Sequence, residues 1–146
     1  MKVRDVMITK VKSVLPESSA KEAMDILVRD EISGLPVIDS DGRLMGMFTE
    51  KNILAHVLPS YLEQVGRFVY EEDPKTTKKK FRELANIKVA GLMRREVVTI
   101  KEDAALSEAA RIMLTQRARR LPVVDNTGRV IGIVARCDIL RALANG

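Results

Sequence analysis

One cysteine, one histidine, no tryptophan and five other aromatic residues are all that this 146-residue chain offers to several kinds of chemistry. Cys137 alone cannot close an internal disulfide, and His56 has no cluster of Cys or His around it, so zinc, haem and iron-sulfur sites are not expected and a reducing cytoplasm is. Phe48, Tyr61, Phe68, Tyr70 and Phe81 are scattered and build no platform for stacking on bases, and neither helix-turn-helix nor zinc-finger spacing occurs, which argues against a nucleic-acid partner. No glycine-rich Walker or Rossmann pattern is present, and no nucleophile is paired with a base, so catalysis is not expected. No apolar run approaches the roughly 18 residues of a membrane span. Met1 to Leu15 carries Lys and Arg too evenly for a signal peptide.

What is present is enough for one ordinary domain or two small ones sharing a core, since a chain of this size buries about 70% of its unfolded surface. Hydrophobic residues make up 46% and charged residues 31%, with a formal net charge of +5 that hints at an anionic ligand. Internal repetition organises the rest. Slid against itself by 86 positions without a gap, the sequence is identical at 16 of 60 positions. Leu35-Pro36-Val37-Ile38-Asp39 falls on Leu121-Pro122-Val123-Val124-Asp125, Gly42-Arg43 on Gly128-Arg129, Gly46 on Gly132, and Ile53-Leu54 on Ile139-Leu140. Two copies of so long a period make an internal pseudo-dimer rather than a solenoid.

Each copy changes periodicity in the same order. A β-branched run, Val11 to Val14 or Val97 to Ile100, predicts a strand. Ala20, Ala23, Met24, Leu27 and Val28, and then Leu106, Ala109, Ala110, Met113 and Leu114, predict amphipathic helices, the first with Ser19 and Glu22 as a capping box. The Leu-Pro-Val run is a buried strand, Ser40-Asp41-Gly42 or Asn126-Thr127-Gly128 a turn, and the next run its hairpin partner. A last helix begins near Thr49 or Ala135. The expected fold is therefore α/β, two pseudo-symmetric β-α-β-β-α units packed sheet to sheet, with domains at 1–57 and 87–146. The connector, 58–86, is partly helical: Leu58, Leu62, Val65 and Val69 suggest a helix, whereas Glu71-Glu72-Asp73-Pro74 and Lys78-Lys79-Lys80 read as an exposed connector, a solvated loop rather than a binding tail.

Thr49 stands where a strand turns into a helix, beside backbone N–H groups that favour anions, and Asn52, one turn on, can pair with ribose hydroxyls. The same residues also suit helix capping, as does Asp138 in a first turn.

The order of these motifs, repeated at one offset, resembles a tandem pair of cystathionine β-synthase (CBS) domains, the Bateman module, in a stand-alone CBS protein. The last motif is complete as Gly46-Met47-Phe48-Thr49-Glu50-Lys51-Asn52-Ile53; its copy, Gly132-Ile133-Val134-Ala135-Arg136-Cys137-Asp138-Ile139, keeps the acid and loses the hydroxyl. The resemblance implies a regulatory ligand sensor with no catalysis of its own and no required cofactor. Its ligand would be an adenosine derivative (AMP, ADP, ATP or S-adenosylmethionine), and it would associate as a homodimeric disc. It further implies two sets of ligand-binding residues. One is Thr49 and Asn52 with Thr99, Ala118, Arg119, Arg120 and Pro122; the other is Asp138 and Arg136 with Ser13, Ile32, Ser33 and Pro36. Two guanidinium groups and a hydroxyl give the first set the chemistry for phosphate; the second is expected to be weak, empty, or suited to a ligand with little negative charge. A structural dimerisation adaptor and a polyanion binder are the alternatives.

Overall fold

The computed structural model describes residues 1–58 and 74–146. Its elements are α1 (Ala20–Asp30), β1 (Gly34–Ile38), β2 (Leu44–Thr49), α2 (Glu50–Val57), α3 (Pro74–Glu83), α4 (Val89–Leu92), α5 (Leu106–Gln116), β3 (Arg120–Val124), β4 (Val130–Ala135) and α6 (Arg136–Asn145). Short 3-10 turns cover Val3–Asp5 and Leu84–Asn86.

Ser19 starts α1, its Oγ accepting from the Glu22 N–H at 3.0 Å. Both long helices end on a residue in the left-handed region, Glu31 (φ 52°) and Arg117 (φ 55°), which lie exactly one repeat offset apart. Each hairpin turns on a glycine with φ 85°, Gly42 or Gly128, and on an aspartate, Asp39 or Asp125, whose Oδ1 accepts two backbone N–H groups of the turn. The aspartate of the Leu-Pro-Val-x-Asp run is thus a turn-former.

The expected first strands are reduced to single parallel bridges, Val14 to Val37 and Ile100 to Val123. The cause is proline. Val14 N–H donates to the Pro36 carbonyl and Ile100 N–H to the Pro122 carbonyl, but the next rung of a parallel ladder would need a proline N–H. What remains is two two-stranded sheets, β1-β2 and β3-β4, the latter antiparallel with Arg120 opposite Ala135 and Pro122 opposite Ile133.

Two compact units result, and the chain crosses between them. One comprises 1–13, 38–44 and 96–146; the other comprises 14–37 and 45–95. In the first, a core of Val3, Ile100, Leu106, Ala109, Met113, Leu121, Val123, Val134 and Ile139 is buried. Every one of these nine has its counterpart 86 residues away in the other core: Val89, Val14, Ala20, Ala23, Leu27, Leu35, Val37, Phe48 and Ile53. Val3 and Val89 show an exchange of arms, because the segment that precedes each repeat packs with the body of the other. Bridges repeat the exchange: Lys2 with Ala105 and Ile8 with Ile133 in one unit, Lys88 with Ser19 and Arg94 with Met47 in the other.

Two expectations are corrected here. Val28 and Leu114, assigned to the apolar helix faces, are 71% and 78% exposed. The fully buried residues are the i, i+3, i+7 stripe of each helix, with Met24 and Ala110 at i+4 partly buried against it, so the i+8 flank faces outward. The lysine run expected as a solvated loop is helical instead, in α3; Lys78 and Lys79 are exposed as expected, while Thr77, Lys80 and Glu83 are half-buried. The helix suggested by Leu62, Val65 and Val69 lies outside the described residues. Among the described residues, no helix is long and apolar enough to cross a membrane.

Candidate functional site

The two helix starts, α2 and α6, are built alike and finished differently. At α2, Asn52 Oδ1 accepts from the Thr49 N–H at 2.8 Å and faces the Thr49 Oγ1 at 3.2 Å. The Glu50 N–H donates to the Ser33 carbonyl at 3.0 Å. At α6, Asp138 Oδ2 accepts from the Ala135 N–H at 2.8 Å, and the Arg136 N–H donates to the Arg119 carbonyl at 3.2 Å. In both, the residue three beyond the end of the strand, Asn52 or Asp138, therefore closes the entry of the helix, and the loop before the Leu-Pro strand is tied to the first amide of that helix.

Burial sets the two apart. Thr49 and Asn52 are half-buried, whereas Asp138 is buried at 5% exposure, with its Oδ1 3.4 Å from an exposed Arg141 guanidinium. A cleft of about 510 Å³ opens beside Asp138, lined also by Asp5, Val6, Arg141, Ala142 and Asn145. Among the remaining candidates, Thr99, Ala118, Arg120, Ile32 and Ser33 are half-buried, Arg119, Arg136 and Ser13 are exposed, and Pro36 and Pro122 are fully buried strand residues. The structure gathers Thr49, Asn52, Ile32, Ser33 and Pro36 in one unit. Asp138, Arg136, Ser13, Thr99, Ala118, Arg119, Arg120 and Pro122 lie in the other.

One pairing escaped the sequence reading. A Cβ built on Gly34 would meet the Thr49 Cγ2 at 3.1 Å, so the first repeat places a glycine against its threonine. At the equivalent places the second repeat has Arg120 opposite Ala135 in the ladder. The lost hydroxyl and the gained guanidinium are thus two sides of one exchange between facing positions. The 86-residue offset carried that signal, had Gly34 been set against Arg120 as well as Thr49 against Ala135.

A duplicated α/β unit with exchanged arms and two variant helix starts is the class that this fold and site define. The CBS domain model matches the chain twice, over residues 3–59 and 89–145, and the chain belongs to that family. The uncharacterized protein MJ1426 of Methanocaldococcus jannaschii is 32% identical, the match covering 98% of this chain and 91% of that one. Chloroplastic CBSX2 of Arabidopsis thaliana is 35% identical over 88% of this chain, which spans 57% of that protein. The solved complex of CBSX2 with AMP has a TM-score of 0.76 and 29% identity, covering 99% of this chain and 96% of that one. The CBS domain pair of MJ0100, solved with 5′-methylthioadenosine and S-adenosyl-L-methionine, has a TM-score of 0.69 at 26% identity, over 98% and 99%.

Proposed function

We propose that this CBS pair is a regulatory sensor of an adenosine derivative, without catalysis of its own, working as a homodimer in the cytoplasm. The observation that carries the reading is the likeness, over 99% of the chain, to a CBS pair solved with AMP. Thr49 and Asn52, with Thr99, Ala118, Arg119, Arg120 and Pro122, form the set for a phosphorylated ligand. Two arginines supply charge-assisted donors there, and an amide in place of a carboxylate avoids repelling phosphate. Asp138 and Arg136, with Ser13, Ile32, Ser33 and Pro36, form the set for a ligand of low negative charge, because a buried carboxylate disfavours phosphate. Support for self-association comes from matched outward residues: Val28 and Leu54 in one repeat, Leu114 and Leu140 in the other, each more than half exposed.

Calorimetric titration with AMP, ADP, ATP and S-adenosylmethionine tests the reading. Arg120→Ala is expected to weaken phosphate-bearing ligands about tenfold or more, and Asp138→Asn, which keeps an acceptor for the Ala135 N–H, to leave them within about twofold. Equal losses in both variants would refute the asymmetry. A stable dimer that binds no adenosine derivative would favour the second reading, a structural adaptor, to which the same outward leucines lend weight.

A further inference from the structure

The charge of the chain is concentrated on one short stretch. Residues 74–95 hold eight basic side chains and a single acid, Glu83, whereas the other 124 residues hold 17 basic and 19 acidic. Much of that stretch is α3. Its inward side is formed by half-buried Thr77, Lys80 and Glu83, followed by buried Leu84, and Glu83 Oε2 lies 3.4 Å from His56 Nε2 on α2. Its outward side carries Lys75, Lys78, Lys79 and Arg82, all exposed. These stand at i, i+3, i+4 and i+7, one continuous stripe about 10 Å long. No acid occurs between Pro74 and Arg82, so each neighbouring pair on the stripe is like-charged and destabilises an isolated helix. A solvated helix ordinarily mixes the signs.

We infer that the outward face of α3 docks the phosphate backbone of a nucleic acid without reading its sequence. A convex cationic stripe suits a linear array of phosphates rather than one nucleotide, and duplex DNA presents about six charges over 10 Å of its axis. Backbone docking needs no stacking platform and no groove-reading motif, so the scarcity of aromatics does not oppose it. A lipid surface fits less well. An interfacial helix turns a broad apolar face to the membrane, whereas Phe81, 45% exposed, is the one large apolar residue that α3 leaves outside.

The test is fluorescence anisotropy of a labelled duplex, without adenosine ligands, between about 50 and 200 mM salt. Lys78→Gln/Lys79→Gln/Arg82→Gln keeps helix propensity and touches no core. Three lost phosphate contacts flatten the slope of log affinity against log salt by about 2.7, which shrinks the affinity drop over that range by about fortyfold. Lys21→Gln/Arg29→Gln/Arg111→Gln removes the same charge from side chains paired to carboxylates, and is expected to keep the wild-type slope. Lys78→Arg/Lys79→Arg is expected to bind like wild type, which separates charge from any fault of folding. The inference is overturned if both glutamine triples lose equally, if the arginine variant loses as much as the α3 triple, or if no duplex or single strand binds at low salt. It is also overturned if only phosphatidylserine-rich vesicles or polyglutamate are captured.

Discussion

Adding one methyl group to Gly46 tests the exchange of arms between the repeats. Gly46 lies in β2, where the arm that precedes the second repeat crosses it: Met47 N–H donates to the Arg94 carbonyl at 2.9 Å and Arg94 N–H to the Met47 carbonyl at 2.8 Å. A Cβ at Gly46 would stand 2.5 Å from the Arg94 oxygen and 2.9 Å from the Met93 Sδ. A methionine tip can swing aside, but a carbonyl in a two-bond bridge cannot move about half an ångström without stretching both bonds. Overpacking costs about 1–3 kcal/mol and weakening the two hydrogen bonds about 1 kcal/mol together, so Gly46→Ala is expected to lose about 2–4 kcal/mol. Gly132, its counterpart, is the internal control. There the nearest atom is the flexible Met7 Sδ at 2.7 Å, with the Ile8 carbonyl further off at 3.1 Å, and the expected loss is about 1–2 kcal/mol. Urea unfolding measures both; with a slope near 2 kcal/mol per molar, the midpoint of Gly46→Ala falls by about 1–2 M. A loss under about 0.5 kcal/mol, or a larger loss at Gly132, would refute the docking of that arm.

Arg117 holds the left-handed region at the end of α5 (φ 55°), a conformation that costs a side-chain-bearing residue about 1 kcal/mol, so Arg117→Gly is expected to stabilise the protein by about 0.5–1 kcal/mol in the same urea assay. No gain would mean that its side chain compensates. In the second hairpin, the Thr127 hydroxyl donating at 2.6 Å, then the N–H groups of Arg129 and Thr127, hold the Asp125 carboxyl below its ordinary value. A depressed folded-state pKa contributes stability above the unfolded value and loses it as pH falls through the folded one. Thr127→Ala is therefore expected to raise the Asp125 pKa toward the usual carboxylate range, followed by NMR titration, and to lower stability at neutral pH while shrinking the share of it that is lost on acidification; an unchanged titration would refute that cause.

The repeat was legible because its core is made of side chains whose spacing is set by period: all nine buried members of one core lie one offset from members of the other. The exchange of arms was not legible. An 86-residue offset is the same whether Val3 packs with its own repeat or with the other, so identity of sequence carries no information about partner choice. Nor did β-branched runs reveal how short the first strands would be. Propensity speaks for Val11 to Val14, but a rung is decided by the residue opposite, and Pro36 has no hydrogen to give.

The motif that carries the family resemblance turns out to be busy with architecture. Gly46 and Gly132 make room for an arm, Asn52 and Asp138 close a helix entry, and the aspartate after each Leu-Pro run folds a turn. Matching the motif therefore argues strongly for the fold and only weakly for a ligand. What architecture does not require is the difference between the copies. Gly34 lies against Thr49 and Arg120 pairs with Ala135 in its ladder, and Asn52 and Asp138 accept equivalent N–H groups, those of Thr49 and Ala135. A duplication held only by packing has no reason to place a guanidinium opposite an alanine in one copy, nor to bury a carboxylate there where the other keeps a half-exposed amide, since burying a charge is costly. Among the positions at which the repeats disagree, Arg120, Asp138, Thr49 and Asn52 are thus where selection for a ligand, rather than for the fold, has to be sought.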